Sequence, residues 1–206
     1  MKNRLTAALL LLLVIAALLT QVSCSRESNL PDFSGNTTGT IYVDYVKSYD
    51  SLGELAADAD LIAVGTIDRT IEVVPDEATG ETGDPRARTY LTRSAFRVER
   101  VIKGIAIWEI VISQMGARGW AEENGNPVFE PGERCFLFLR NGNDGMYHLV
   151  NPVGRFSIKD GNVYSMNYVL PTGQSRPPQG LKFWKIDLDE FIGRVTKEMP
   201  DIHTNR

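Results

Sequence analysis

The chain has 206 residues, 43% of them hydrophobic and 23% charged, and a formal net charge of -4. That length suits one ordinary domain with an appendage. The even composition excludes a disordered chain, a collagen-like fibre and a polytopic membrane protein.

The hydrophobic residues are unevenly spread. Met1 to Arg4 gives a short basic start, and Ala7 to Leu19 is an unbroken apolar run. A spanning helix needs about 20 apolar residues, so this run is short for a permanent span. A basic start, a short apolar core and small residues after it mark an export signal over residues 1–23. The stretch Leu18-Leu19-Thr20-Gln21-Val22-Ser23-Cys24 resembles a bacterial lipoprotein signal, with Gln21 where that family prefers Leu. The resemblance implies that Cys24 opens the mature chain, carries acyl groups and holds the protein on a membrane or cell surface. The competing reading is ordinary cleavage near Ser23–Ser25 and a secreted soluble protein. Without residues 1–23, 20 basic side chains face 26 acidic ones, so the exported part is more acidic than the whole.

Residues 24–40 are polar and without periodicity, which predicts a flexible tether ahead of a single domain over 41–206. Ser51-Leu52-Gly53-Glu54 has capping-box spacing, so a short helix is expected to about Ala59. Asp60 to Val74 is rich in β-formers, with Gly65 as the site of a bulge and Pro75 as the stop. Asp76 to Pro85 predicts an acidic loop. Arg88 to Lys103 alternates clearly. Tyr90, Thr92, Ser94, Phe96, Val98 and Ile102 share one face, and Arg93, Arg97, Glu99 and Lys103 form a wet one.

Gly104 permits a turn into a strand over Ile107 to Met115, and residues 116–132 read as a long loop. Glu133 to Arg140 is apolar on both faces, as a central strand would be. A turn at 141–145 leads to Met146–Val150. Asp160-Gly161 joins two further strands in a hairpin. Residues 171–180 read as coil. A last helix starts near Asp187 and aligns Leu188, Phe191, Ile192 and Val195 on one face. Six or more strands with a helix at each end predict a mainly β barrel or sandwich.

Three fragments carry a resemblance. They are Ala57–Ile67, Phe96–Gly104 (with Val101-Ile102-Lys103-Gly104) and Pro131–Leu139 (with Gly132-Glu133-Arg134-Cys135-Phe136-Leu137). Together, over roughly residues 57–139, they resemble a family of uncharacterised bacterial exported proteins. More distantly they are similar to the netrin-like domain of the tissue inhibitors of metalloproteinases. The resemblance implies an OB-like Greek-key β-barrel. It implies no inhibitory residues, because the disulfide framework of those inhibitors is missing and a tether separates Cys24 from the barrel.

The chemistry-bearing residues are few. His148 lies in a strand pattern and reads as a structural or surface histidine, while His203 is near the end. Glu122-Glu123, the acidic 76–84 stretch and Asn143-Asp144-Gly145 read as solvated loops and turns rather than calcium sites. No metal, cofactor or catalytic residue is therefore assigned. Nucleic acid is disfavoured by the acidic balance. Cys135 reads as a small core residue, with a bridge to Cys24 as the alternative if Cys24 is not acylated. Trp108 and Trp184 read as packing residues. Arg118 and Trp120, in the 116–132 loop, are the candidate partner-binding pair, since Trp and Arg are enriched at interface hot spots. An equal alternative makes Trp120 a plug over the barrel end. The expected function is a non-catalytic binding or interaction module in the cell envelope, with an unidentified protein or small-molecule partner. Alternatives are an envelope hydrolase using two carboxylates beside His148, or a purely structural protein.

Overall fold

The computed structural model describes residues 39–41, 47–77, 89–123, 125–165, 181 and 185–200. Cys24, Trp184, His203, nearly all of the tether, most of the acidic 76–88 stretch and all of the 171–180 stretch lie outside them. The strands are β1 (Gly39–Ile41), β2 (Leu61–Pro75), β3 (Tyr90–Lys103), β4 (Glu109–Ala117), β5 (Ala121–Glu123) and β6 (Arg134–Asn141). They continue with β7 (Tyr147–Leu149), β8 (Arg155–Lys159), β9 (Asn162–Ser165) and β10 (Ile186–Asp187). Helix α1 covers Leu52–Asp58 and α2 covers Leu188–Glu198.

The fold is mainly β, built on a closed five-stranded barrel. β2 pairs antiparallel with β3 and β6, and β3 pairs with β4. The short β7 closes the ring, antiparallel to β6 and parallel to β4. That order, with one parallel closure, is the OB-like barrel that the sequence resemblance implies. Outside the ring, β8, β9 and β10 extend the sheet from β6. β1 adds a parallel strand to β5 and begins at Gly39, two residues inside the expected tether.

The two-faced strands explain the two cores. From β2, Leu61, Ala63 and Ile67 point into the barrel, joined by Phe96, Ile112, Phe129, Cys135, Leu137 and Leu139. The alternate residues Ile62, Val64, Phe136 and Phe138 point the other way. They meet Leu52, Leu55 and Ala56 of α1 and Phe191, Ile192 and Val195 of α2. This period-two division is why residues 133–140 read as apolar throughout. The rings of Phe136 and Phe191 meet edge to face, 4.8 Å between centroids.

Both helix starts are as the sequence predicts. Ser51 Oγ accepts from the Glu54 N–H at 3.2 Å, although the Glu54 carboxylate reaches back to the Asp50 N–H rather than to that of Ser51. Asp187 Oδ1 accepts from the Asp189 and Glu190 N–H groups. Gly65 sits at a register shift, where a Cβ would lie 2.2 Å from the Arg97 carbonyl oxygen. The Asp160-Gly161 hairpin has both residues at positive φ, 49° and 74°.

Several expectations need correction. Val98 packs inside the barrel but Ile102 packs on the helix side. Two register shifts in the β2–β3 ladder lie near this end, between Ile62/Ala63 and Val64/Gly65, and change which face successive residues present. Lys103 is not simply a solvated charge. Its Nζ donates to the Ala56 and Ala59 carbonyl oxygens, 2.6 Å each, and so closes the C-terminal end of α1. The 116–132 stretch is not all loop. It begins in β4, contains β5 and sends Phe129 into the barrel. Glu123 is buried rather than solvated, and accepts from Asn126 Nδ2 at 2.7 Å.

Candidate interaction surface

The two ends of β4 carry the residues that matter. At its C-terminal end, the 116–133 segment folds back over the barrel. Arg118 is exposed and its guanidinium lies 2.8 Å from Glu130. The Trp120 ring is half-buried and meets Tyr90 edge-on, 5.9 Å between centroids. The Trp120 backbone is fixed too, since its carbonyl accepts from the Gly39 N–H and its own N–H donates to Ala117.

The same segment takes part in a polar cluster. Arg155, whose side chain is 3% exposed, donates from Nη2 to both Glu133 carboxylate oxygens at 2.7 Å. Its guanidinium also bonds to Asn126 Oδ1 and to the Pro127 carbonyl. It lies over the Phe129 ring, 4.0 Å from the centroid. Gln114 holds the same segment by donating to the Asn126 and Pro127 carbonyls and accepting from the Phe129 N–H. Each buried polar group in this set therefore has a partner, as an interior of low dielectric demands. Cys135 is buried beside it as a free thiol, and its Sγ donates to Glu133 at 3.3 Å. Burial, and then the Glu133 charge, push that thiol well above its usual pKa, so it is a poor nucleophile.

At the other end of β4 the chain does the opposite. β3 outruns its pairing with β4, which begins at Arg97–Glu109, and the connection swings out through Gly104. Ile105 is 91% exposed, Ile107 70% and Trp108 71%. Trp108 is therefore not a packing residue. β4 starts at Glu109, two residues later than expected, and the Trp108 carbonyl accepts from the Val98 N–H while its side chain stays outside. Beside the tip is an open cavity of about 430 Å³, lined by Ile105, Ile107, Ile110, Met146 and Tyr147. Its rim is charge-paired: Arg69 donates to both Glu109 carboxylate oxygens at 3.1 Å.

Three large apolar side chains within four residues are costly to leave in water, and contiguous patches of that kind mark contact sites. The sequence signal was available. Ile105-Ala106-Ile107-Trp108 places four apolar residues directly after a Gly turn, where polar residues are the rule.

His148, on β7, is bonded through Nε2 to Asp144 at 3.2 Å. Burial raises the Asp144 carboxyl, but bonds from the Met146 N–H and His148 outweigh it and hold it below the usual value. Asp144 is the carboxylate hydrogen-bonded to that histidine, and it sits in the 141–146 turn. Among the described residues, no three His, Cys, Asp or Glu side chains group as metal ligands. None of the described helices is long and apolar enough to cross a membrane. The chain matches no protein-family model and no curated protein.

Proposed function

We propose that this chain is an exported, lipid-anchored cell-envelope protein whose OB-like barrel works as a non-catalytic binding module. The apolar tip Ile105–Trp108 is the observation that carries the binding role. It is the large apolar group that the described fold leaves in solvent, and it borders a cavity sized for a large side chain or small ligand. The N-terminal pattern supports the anchor: a basic start, thirteen apolar residues from Ala7 to Leu19, then Cys24 after a small residue. A distant likeness to the netrin-like domain is part of the same reading, supported by the three sequence fragments and by the barrel topology.

Arg118 and Trp120 are the lesser candidates within this reading. Both are held by groups of their own chain, Glu130 and Tyr90, so a partner would have to displace those contacts. The test has two parts. Intact mass of the membrane fraction should show acyl groups added to a chain that begins at Cys24. Unmodified protein in the medium would remove the anchor from the proposal. Trp108→Glu should abolish partner capture without lowering stability, and unchanged capture would remove the tip.

A further inference from the structure

We infer that the cavity beside the Ile105–Trp108 tip takes an extended peptide segment of a partner protein, added as a strand to an open edge of β4. This rests on the proposed binding role of the tip and names the chemistry of its partner. The Val98 N–H donates to the Trp108 carbonyl at 2.9 Å, and the β3–β4 register runs on from there without a shift. Bonded pairs alternate along an antiparallel ladder, so Ile110 and Ile112 also turn their backbone groups toward β3. Glu109 and Val111 turn theirs the other way, toward the edge where the barrel closes.

That edge is closed only in part. β7 meets β4 at the single pair Ile112–Tyr147, and a parallel pair bonds through the residues flanking one partner, here the Val111 C=O and the Ser113 N–H. The chain just before β7 is committed to its own turn. The Gly142 N–H donates to the Met146 carbonyl, and the Gly145 N–H to the Gly142 carbonyl. β5 pairs farther along, at Gly116 and Ala117. Among the described residues no strand therefore lies beside Glu109 and its neighbours on this side, and the Glu109 N–H, its C=O and the Val111 N–H stand on an open edge. The cavity of about 430 Å³ is lined by this stretch and by Gly145, Met146 and Tyr147 across from it.

The open backbone selects the occupant. An exposed strand edge is a template for another strand, because its donors and acceptors need partners set at the same spacing. A bilayer or a compact apolar ligand would cover these groups without bonding them all, at a cost that grows with burial. In strand addition the main chain supplies affinity and alternate side chains supply specificity. The cavity reads that alternation: Ile110, 7% exposed, faces the barrel core, while Glu109 and Val111 share the outer side. The charged side chain in the lining is the Glu109 carboxylate, so the residues set beside it are neutral or basic. The segment that fits is therefore extended, with apolar residues alternating with neutral or basic polar ones.

The test follows a fluorescent, lysine-capped hexapeptide of alternating valine and threonine by anisotropy against the full chain in mild detergent. The probe should bind saturably. N-methylation of one alternate set of its amides should weaken binding at least about 10-fold, and methylation of the other set should not, since only one set faces β4. Glu109→Pro removes an edge N–H at the first residue of a strand, where proline is tolerated, and should weaken binding as much. Glu109→Gln keeps that N–H and should bind the probe as the wild type does. Val111→Pro reads the same edge should the first variant fold poorly. A probe that does not bind, equal loss from both methylated sets, or full binding by both proline variants overturns the inference. A chain that dimerises through this edge and excludes the probe overturns it in favour of a second copy. Failure of the probe while Trp108→Glu still abolishes partner capture leaves the binding role of the tip standing. Unchanged capture by Trp108→Glu with edge-dependent probe binding strikes the tip alone.

Discussion

The two ends of β4 each carry a tryptophan, and the chain treats them in opposite ways. Trp120 sits in a segment closed by its own sequence, with Tyr90 against the ring, β1 and β5 paired alongside, and Glu133 at the segment's end paired with Arg155. Trp108 has a fixed backbone and a side chain mostly in solvent. Tryptophan at a loop is thus not in itself a sign of contact with a partner. What separates the two is whether the chain supplies a complement: at one end it invests buried charges and amides in closing the barrel, and at the other it leaves apolar surface bare.

The comparison can be broken or sharpened in order of expected effect. Glu133→Ala leaves the Arg155 guanidinium buried without its carboxylate, and should cost about 3–5 kcal/mol in denaturant unfolding. A loss below 1 kcal/mol would mean that the closed end owes little to this pair. Trp120→Ala removes a half-buried ring from Tyr90 and should cost about 1–3 kcal/mol by the same measurement.

Cys135 gives a pH test of the same end. Its folded pKa is raised above the ordinary value of about 9, so the folded state holds the thiol proton more tightly than the unfolded chain does. The associated stability is fully present below that pH. It falls as pH rises further, with a limiting slope of about 1.4 kcal/mol per unit. Cys135→Ala should flatten this slope between pH 9 and the onset of alkaline unfolding, and an unchanged slope would place the titrating group elsewhere. The smallest effect belongs to Trp108→Ala, which should alter stability by no more than about 0.5 kcal/mol, since the side chain is mostly in water already. A larger loss would mean that Trp108 packs after all.

Much of the barrel is legible in the amino-acid sequence. Alternation gave β3, apolarity on both faces gave β6 its central place, and Asp160-Gly161 gave the outer hairpin. Ser51 and Asp187 gave the helix starts, because their side chains accept from backbone donors only a few residues away. Those signals are local. The closure by β7 was not legible as a pairing, because a three-residue strand between β4 and β6 depends on contacts distant in sequence.

The site was harder to read. Trp108 falls inside the stretch that reads as a strand from Ile107, but β3 extends past the last β4 pair and carries the turn away from the barrel. Glu123 looked solvated because a buried carboxylate depends on a partner, and Asn126 is visible as that partner only once the segment is folded. Lys103 looked like one of a row of surface charges, while its role at the end of α1 depends on a contact more than forty residues back in the chain.

The central claim is that contact is made at the Trp108 end and not at the Trp120 end. The direct measurement places a photo-activated cross-linking residue at position 108 or at position 120 of the full chain in its own envelope, and compares the adducts. The account predicts adducts from position 108 and none from position 120. Adducts from position 120 with none from 108 would contradict it.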